Sequence, residues 1–174
     1  MIANTLEAEL AAAMALARDP RCAAVVDAFN LRIDAAPWGV GFVEFDGGTY
    51  QPSESGDAAF IIAVEEGGER IDLVACRLSD RAMASRRGLA ASLGTDAIEA
   101  ARSTGRKLLL YSDALAWLHA GCHGAVILDW RQAPWLLADV PAITCASLSL
   151  TKRLHRALMV PSHLPALSYA RAAA

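Results

Sequence analysis

Long apolar runs are missing from this sequence. No window reaches the roughly 18 uninterrupted apolar residues that a membrane-spanning helix needs, and even the stretch from 108 to 118 contains Ser112 and Asp113. The first twenty residues carry Glu7 and Glu9, where a signal peptide has positive charge followed by an apolar run. We therefore expect a soluble, cytoplasmic protein that has no membrane partner.

Cysteine is scarce and unpaired in the sequence. The four cysteines are widely spaced, form no C-x-x-C pair and lie among apolar or small residues, as in "LVAC" around Cys76. That setting is typical of buried, reduced thiols, and a chain of this length does not need a disulfide framework. The nearest approach to a metal motif is His119, Cys122 and His123, which lack the paired spacing of zinc sites. We predict no metal site, and the sequence does not identify a cofactor.

Familiar catalytic signatures are also absent. The chain has no G-x-S-x-G elbow for a nucleophilic serine and no G-x4-G-K-[ST] loop for phosphates. The G-x-G in "WGVGFVEF" leads into a predicted strand, whereas a dinucleotide site requires a helix there. These absences exclude the common nucleotide-binding and serine-hydrolase motifs.

Charge, in contrast, is abundant and unevenly divided. Residues 1–75 contain four arginines and thirteen acids, a net charge of −9, whereas residues 76–174 contain twelve basic residues and six acids, a net charge of +6. Two interpretations stay open. The halves complement each other within the fold or across a dimer, or the basic half faces a polyanion.

Periodicity in the first half predicts two helices followed by antiparallel strands. We expect helices over about 5–18 and 20–32 and strands at 38–45, 58–66 and 69–78. Gly67-Gly68 between the last two strands is a tight-hairpin signal. Residues 46–57 are expected to form a long loop.

The second half predicts a different pattern. Residues 79–94 have helical composition, and a helix at 95–104 follows. Short continuous apolar runs at 106–111, 124–130 and 142–147 indicate strands buried on both faces, with helices after the first and third. The predicted class is α+β, in which a β-α-β-β-α half extends a mixed sheet. With 55% apolar residues, we expect one domain over 1–160 and a C-terminal tail at 161–174.

Polar residues stand at the ends of these late strands. Asp113, Asp129 and Ser147 would meet at one edge if the strands are parallel, which is where ligands bind in open α/β sheets, and His123 lies nearby in sequence. We name these four as candidate catalytic residues. Acids at strand ends resemble the architecture of the toprim-type domains of primases and topoisomerases, which implies divalent-metal-dependent phosphoryl chemistry, although their D-x-D pair and preceding strand-end glutamate are absent. The structural alternative is that these side chains cap turns and helices.

Basic residues supply a second set of candidates, for binding. Lys152, Arg153 and Arg156 lie on a predicted amphipathic helix, and Arg86 and Arg87 precede a glycine. An amphipathic surface helix explains the first three and is the preferred interpretation, and phosphate contact is the functional alternative. No tryptophan alternates with basic residues in the sequence, as it would in a single-strand stacking platform.

Two functions of different classes follow from these observations. The preferred hypothesis is a non-catalytic binding or accessory protein, whose partner is another protein, a second copy of the chain or, through weak contact, a polyanion such as nucleic acid. The alternative is a small enzyme that uses the strand-end carboxylates.

Overall fold

The computed structural model describes residues 3–31 and 37–159. Its elements fall into two sheets with helices packed around them. The helices are α1 (Ala3–Ala17), α2 (Pro20–Ala28), α3 (Thr95–Thr104), α4 (Ala114–His119), α5 (Ala133–Leu136) and α6 (Leu148–Leu158). The strands are β1 (Trp38–Asp46), β2 (Thr49–Pro52), β3 (Asp57–Glu66), β4 (Glu69–Arg77), β5 (Met83–Ser85), β6 (Ser92–Leu93), β7 (Leu108–Tyr111), β8 (Ala125–Ile127) and β9 (Ile143–Cys145).

The first five strands close into a small barrel in the order β1-β2-β5-β4-β3. Neighbouring strands are antiparallel except β2 and β5, which meet in parallel at Thr49 and Ser85. Glu66 faces Glu69 across the turn between β3 and β4, and both glycines of that turn have positive φ. Closure gives every strand a neighbour on each side, with the shortest pairing between β2 and β5.

The late strands form a second sheet in the order β6-β8-β7-β9. β7 is parallel to both β8 and β9, and β6 pairs antiparallel with β8 at one edge. The predicted α+β class is confirmed. The late strands nevertheless form a sheet of their own and do not extend the first one, because the first five strands close on one another.

One hydrophobic cluster joins the two sheets. It contains barrel residues such as Trp38 and Phe60 together with Leu115 and Trp117 of α4 and Val126 of β8. Trp38 and Phe60 meet edge to face with their ring centroids 5.4 Å apart, an arrangement favoured by aromatic quadrupoles. The barrel and the late sheet are therefore packed against each other directly.

Helix α1 packs closely against the barrel, where its apolar residues join a cluster with residues of all five barrel strands. Its backbone passes so near β1 that a Cβ atom at Gly39 would lie 2.2 Å from the carbonyl carbon of Ala13. Arg86 pairs with Glu9 of α1, and Arg77 pairs with Asp57. These two ion pairs join the acidic and the basic halves of the sequence within one fold.

The helix predicted over 79–94 is wrong, because this segment contains β5, a loop and β6. The cause is Asp72 of β4, whose buried carboxylate accepts hydrogen bonds from the backbone N–H groups of Arg87, Leu89 and Ala90 as well as from Leu73. Those bonds hold the segment extended over the barrel, so it cannot form helical i to i−4 bonds. We call residues 86–91 the anchored loop.

Two other sequence-based expectations concern residues 46–57 and the C-terminal tail. Residues 46–57 include the short strand β2 and a tight turn, so they are not a simple loop. The predicted tail at 161–174 lies outside the described residues. Among the residues that are described, no helix combines the length and the apolar character needed to cross a bilayer.

Candidate functional site

A cleft of about 580 Å³ lies where the second sheet faces the barrel. One wall consists of the chain just beyond the carboxyl ends of β7 and β8, and the other consists of barrel residues from β2 and β5 with the anchored loop. The polar and aromatic side chains that line it are Thr49, Arg81, Ser85, Ser112, Asp129, Trp130, Arg131 and Arg153.

The topology explains why a cleft forms at this edge. From β7 the chain crosses through α4 to β8 on one side, and from β8 it returns past β7 to β9 on the other side. The next strand is therefore added on one side of β7 first and on its other side afterwards. Such a reversal of strand order leaves a crevice outside the carboxyl ends of parallel strands. The sequence predicted a pocket at this edge from the strand-end residues alone.

Asp113 lies next to the cleft but is used to begin α4. Its Oδ1 accepts a hydrogen bond of 2.9 Å from the backbone N–H of Ala116, and its Oδ2 accepts one of 2.8 Å from the hydroxyl of Ser112. A guanidinium nitrogen of Arg81 lies 3.8 Å from Oδ1. The carboxylate is thus an N-cap with two polar partners, and it does not line the cleft.

Asp129 lines the cleft, but its carboxylate is bound within its own turn. It accepts hydrogen bonds from the backbone N–H, Nε and a terminal nitrogen of Arg131, and a fourth from the amide of Gln132. The hydrogen bonds from the side chain of Arg131, followed by that from Gln132, hold the pKa of Asp129 far below its usual value. Asp129 is therefore ionised at neutral pH and paired, which is the opposite of a poised general base.

The other candidate catalytic residues do not join these acids. The Ser147 hydroxyl caps α6 by accepting the N–H of Leu150, and His123 is exposed in the turn after α4. Burial raises the pKa of the Cys122 thiol, which keeps it protonated. Within 3–31 and 37–159, no group of three or more His, Cys, Asp or Glu side chains is placed to hold a metal ion.

Three arginines enter the cleft from different parts of the chain. Arg81 comes from the turn before β5, where its φ is +63°, Arg131 follows β8, and Arg153 comes from α6. Arg131 pairs with Asp129 at 2.9 Å, and Arg81 lies near Asp113. Arg153 makes no ion pair with any acid in the described part of the chain.

Arg153 instead stacks on an aromatic ring. Its guanidinium carbon lies 4.2 Å from the centroid of the Trp130 ring, within the range of cation–π attraction. Trp130 is half-buried, with one side packed on the cluster beneath the second sheet. The two residues are far apart in the sequence, so no local pattern indicated the contact. Only the packing of α6 against this sheet brings them together.

The remaining predicted binding residues lie elsewhere. Lys152 and Arg156 are exposed on α6 but do not line the cleft. Arg86 points toward α1, where it pairs with Glu9, and Arg87 is half-buried in the anchored loop. Of the five basic residues that the sequence suggested, Arg153 alone is part of the cleft lining.

The anchored loop forms part of the cleft wall and is fixed at both ends. Asp72 holds its backbone from the barrel side, while the carbonyl of Ala91 accepts the N–H groups of Leu128 and Asp129 from the second sheet. Sequence reasoning missed Asp72. Its signal was a lone acid inside the apolar strand "RIDLVAC", where a charge must have partners in order to be buried.

Two other cavities are less suited to a charged ligand. A cavity of about 940 Å³ between α2 and α4 contains Arg81 at its margin, and His119 there is bound to the carbonyl of Phe29. A groove of about 450 Å³ between α1 and β1 is mostly apolar, and its two charged residues, Glu9 and Arg86, are paired. The cleft between the sheets therefore has the greatest concentration of arginine.

Comparisons with known proteins add no functional information. No model of a protein family, no curated protein sequence and no solved structure matches this chain.

Proposed function

We propose that this protein is a non-catalytic binding domain whose cleft between the barrel and the second sheet holds a polyanion. The observation that carries the proposal is the charge of the cleft, which three arginines and one aspartate line. Because that aspartate is paired with Arg131, the two charges largely cancel, and Arg81 and Arg153 leave the lining with a net positive charge.

The geometry supports a role for arginine in particular. A guanidinium presents several N–H donors in one plane, which match the oxygen atoms of a phosphate. Arg153 has no carboxylate partner among the described residues, so an incoming phosphate does not have to displace one.

The carboxylates favour binding over catalysis. Asp113 begins a helix and Asp129 is bound by Arg131, so each is held by donors within its own turn. Mg²⁺ requires oxygen ligands at about 2.0–2.1 Å around one point. The carboxylates of Asp113 and Asp129 are bound by separate sets of donors, so they are not arranged around one common point as ligands of a shared Mg²⁺ ion would be.

The test is a binding titration at two salt concentrations. A fluorescein-labelled single strand of DNA of about 12 nucleotides is titrated with the protein, and binding is followed by fluorescence anisotropy. If two or three phosphates are contacted, raising salt from 50 to 200 mM should weaken binding by about 7- to 20-fold. No binding at the lower salt concentration, or binding that does not respond to salt, would contradict the proposal.

Matched arginine variants locate the site. Arg153→Ala removes a cleft cation, and Arg131→Ala both removes a cation and exposes the carboxylate of Asp129, so we expect the second to weaken binding more. Arg106→Ala is the control, because Arg106 is an exposed arginine that precedes β7, at the end of the sheet opposite the cleft. Equal losses from all three variants would show that binding depends on net charge and not on the cleft.

A further inference from the structure

We infer that the polyanion is a single-stranded nucleic acid and that one of its bases stacks on the ring of Trp130, in the place now taken by Arg153. This inference rests on the proposed function, since it names the ligand of the same cleft. It is carried by a contact between an aromatic ring and a planar cation at the edge of an arginine-lined surface.

Trp130 offers a rigid platform. Part of the indole is packed on the cluster that contains Ile98 and Leu150, which fixes the ring, and the ring also lines the cleft. The guanidinium of Arg153 covers one ring face at 4.2 Å. A nucleobase is likewise flat and stacks on aromatic rings at a similar separation, so both groups fit the same face.

Arg153 is easily displaced from that face. Its side chain is exposed on α6, and no ion pair with a described residue restrains it. An exposed cation–π contact contributes about 2- to 5-fold to an equilibrium, whereas a base stacked on an aromatic side chain contributes about 5- to 150-fold to affinity. Exchange of the guanidinium for a base is therefore favourable.

After displacement from the ring, the guanidinium of Arg153 can bind a phosphate of the ligand. The backbone phosphate that accompanies the stacked base lies within reach of a long arginine side chain, so Arg153 exchanges an aromatic partner for an anionic one. Charge-assisted bonds from arginine to phosphate are stronger than neutral hydrogen bonds. The same residue thus covers the ring in the unbound protein and holds the ligand in the complex.

This arrangement selects single strands. In a duplex each base is paired and stacked on its neighbours, so it is not available to an indole ring. The stack also carries no hydrogen-bond readout, and we expect little preference for base sequence. A polyanion without bases would bind through the arginines alone.

The experiment compares three labelled ligands of equal length per strand, with the full chain and the anisotropy assay. They are a mixed-sequence single strand, an abasic single strand with the same number of phosphates, and a duplex. We expect the normal strand to bind about 5- to 150-fold more tightly than the abasic strand. The affinity for the duplex, per phosphate, should be no higher than that for the abasic strand, because the paired bases of a duplex cannot stack on the ring.

Tryptophan variants test the platform itself. Trp130→Leu should remove the difference between the normal and the abasic strand while leaving salt-dependent binding of the abasic strand. Trp135→Leu is the matched control, because Trp135 is 79% exposed on α5 and does not line the cleft. If Trp130→Leu fails to fold, a Trp135→Phe protein provides a second readout, since the normal strand should quench its tryptophan fluorescence and the abasic strand should not.

The outcomes separate the two proposals. Binding of neither single strand overturns the proposed function. Equal affinity for the normal and the abasic strand overturns the stacking inference but leaves a polyanion site. A preference for the normal strand that survives Trp130→Leu also overturns the inference, because the base would then stack elsewhere.

Discussion

Asp72→Asn is expected to destabilise the protein strongly. In the carboxylate, Oδ1 accepts N–H groups from Leu73 and Arg87 at 2.8 and 2.9 Å, and Oδ2 accepts those of Leu89 and Ala90 at 2.8 and 3.0 Å. An amide replaces one of these oxygens by an NH₂ group, which cannot accept. Two backbone donors then lose their acceptor inside the protein, and the other two lose a charged one.

The magnitude follows from those two losses. A buried donor left without an acceptor costs about 1–3 kcal/mol, and a hydrogen bond to a charged group exceeds a neutral one by about 1 kcal/mol. Two donors of the first kind and two of the second give about 4–8 kcal/mol, so we expect the free energy of unfolding to fall by at least about 4 kcal/mol, with a melting temperature lower by at least about 10 °C. The change should also loosen the anchored loop and so weaken binding in the cleft.

Urea unfolding followed by circular dichroism measures the effect. Asp27→Asn is the control, because Asp27 is an exposed acid on α2, and its substitution should change stability by no more than about 0.5 kcal/mol. A loss of less than about 1 kcal/mol for Asp72→Asn would refute the reasoning. It would mean that the four bonds do not hold the loop extended.

Three further predictions concern other contacts. Gly39→Ala should lower the free energy of unfolding by about 3 kcal/mol in urea titrations, because the new Cβ would clash with the backbone of α1; Gly48→Ala, which meets no atom within 4 Å, should change it by no more than about 0.5 kcal/mol. The pKa of Asp19 should be about 2, lowered first by the side-chain hydrogen bond from Arg21, and Arg21→Ala should raise it toward 3.8 in a ¹³C NMR titration. Because that pKa is lowered in the folded state, the contribution of Asp19 to stability is present above about pH 4 and is lost as pH falls toward 2. Tyr50→Phe should lower the free energy of unfolding by about 1.5–3 kcal/mol in urea titrations, since it removes a hydrogen bond of 2.8 Å to a carboxylate of α1.

Each of these has a clear contrary result. Equal stability of the two glycine variants would show that α1 does not approach β1 closely. An Asp19 pKa that stays near 2 without the arginine side chain would assign the shift to the backbone N–H instead. A Tyr50→Phe protein as stable as the unmodified one would mean that the hydroxyl contributes no net energy to the contact between α1 and the barrel.

The parts of the fold that depend on local pattern could be predicted from the sequence. The strands at 38–46, 57–66 and 69–77 were marked by β-branched and aromatic runs, and the later crossover was marked by apolar runs separated by a short helix. The error at 79–94 had a non-local cause. Asp72 overrides the helical composition of that segment through bonds that no local pattern reveals.

The position of the candidate site could likewise be predicted from the sequence, but the contacts within it could not. The sheet edge was predictable, because strand ends and the rule for parallel sheets place Ser112 and Asp129 together. The roles of the acids were not, since their partners are set by the geometry of each turn. The stack of Arg153 on Trp130 could not be foreseen either, because it depends on how α6 packs against the sheet.

The most direct test of the central claim is to map the ligand site on the protein itself. A ¹⁵N-labelled sample is titrated at low salt with a single DNA strand while its ¹H–¹⁵N spectrum is recorded. The account predicts shifts concentrated at the indole N–H of Trp130, at Ser112 and in the anchored loop, with little change along α1. Shifts centred on α1, or spread evenly over exposed arginines, would contradict it.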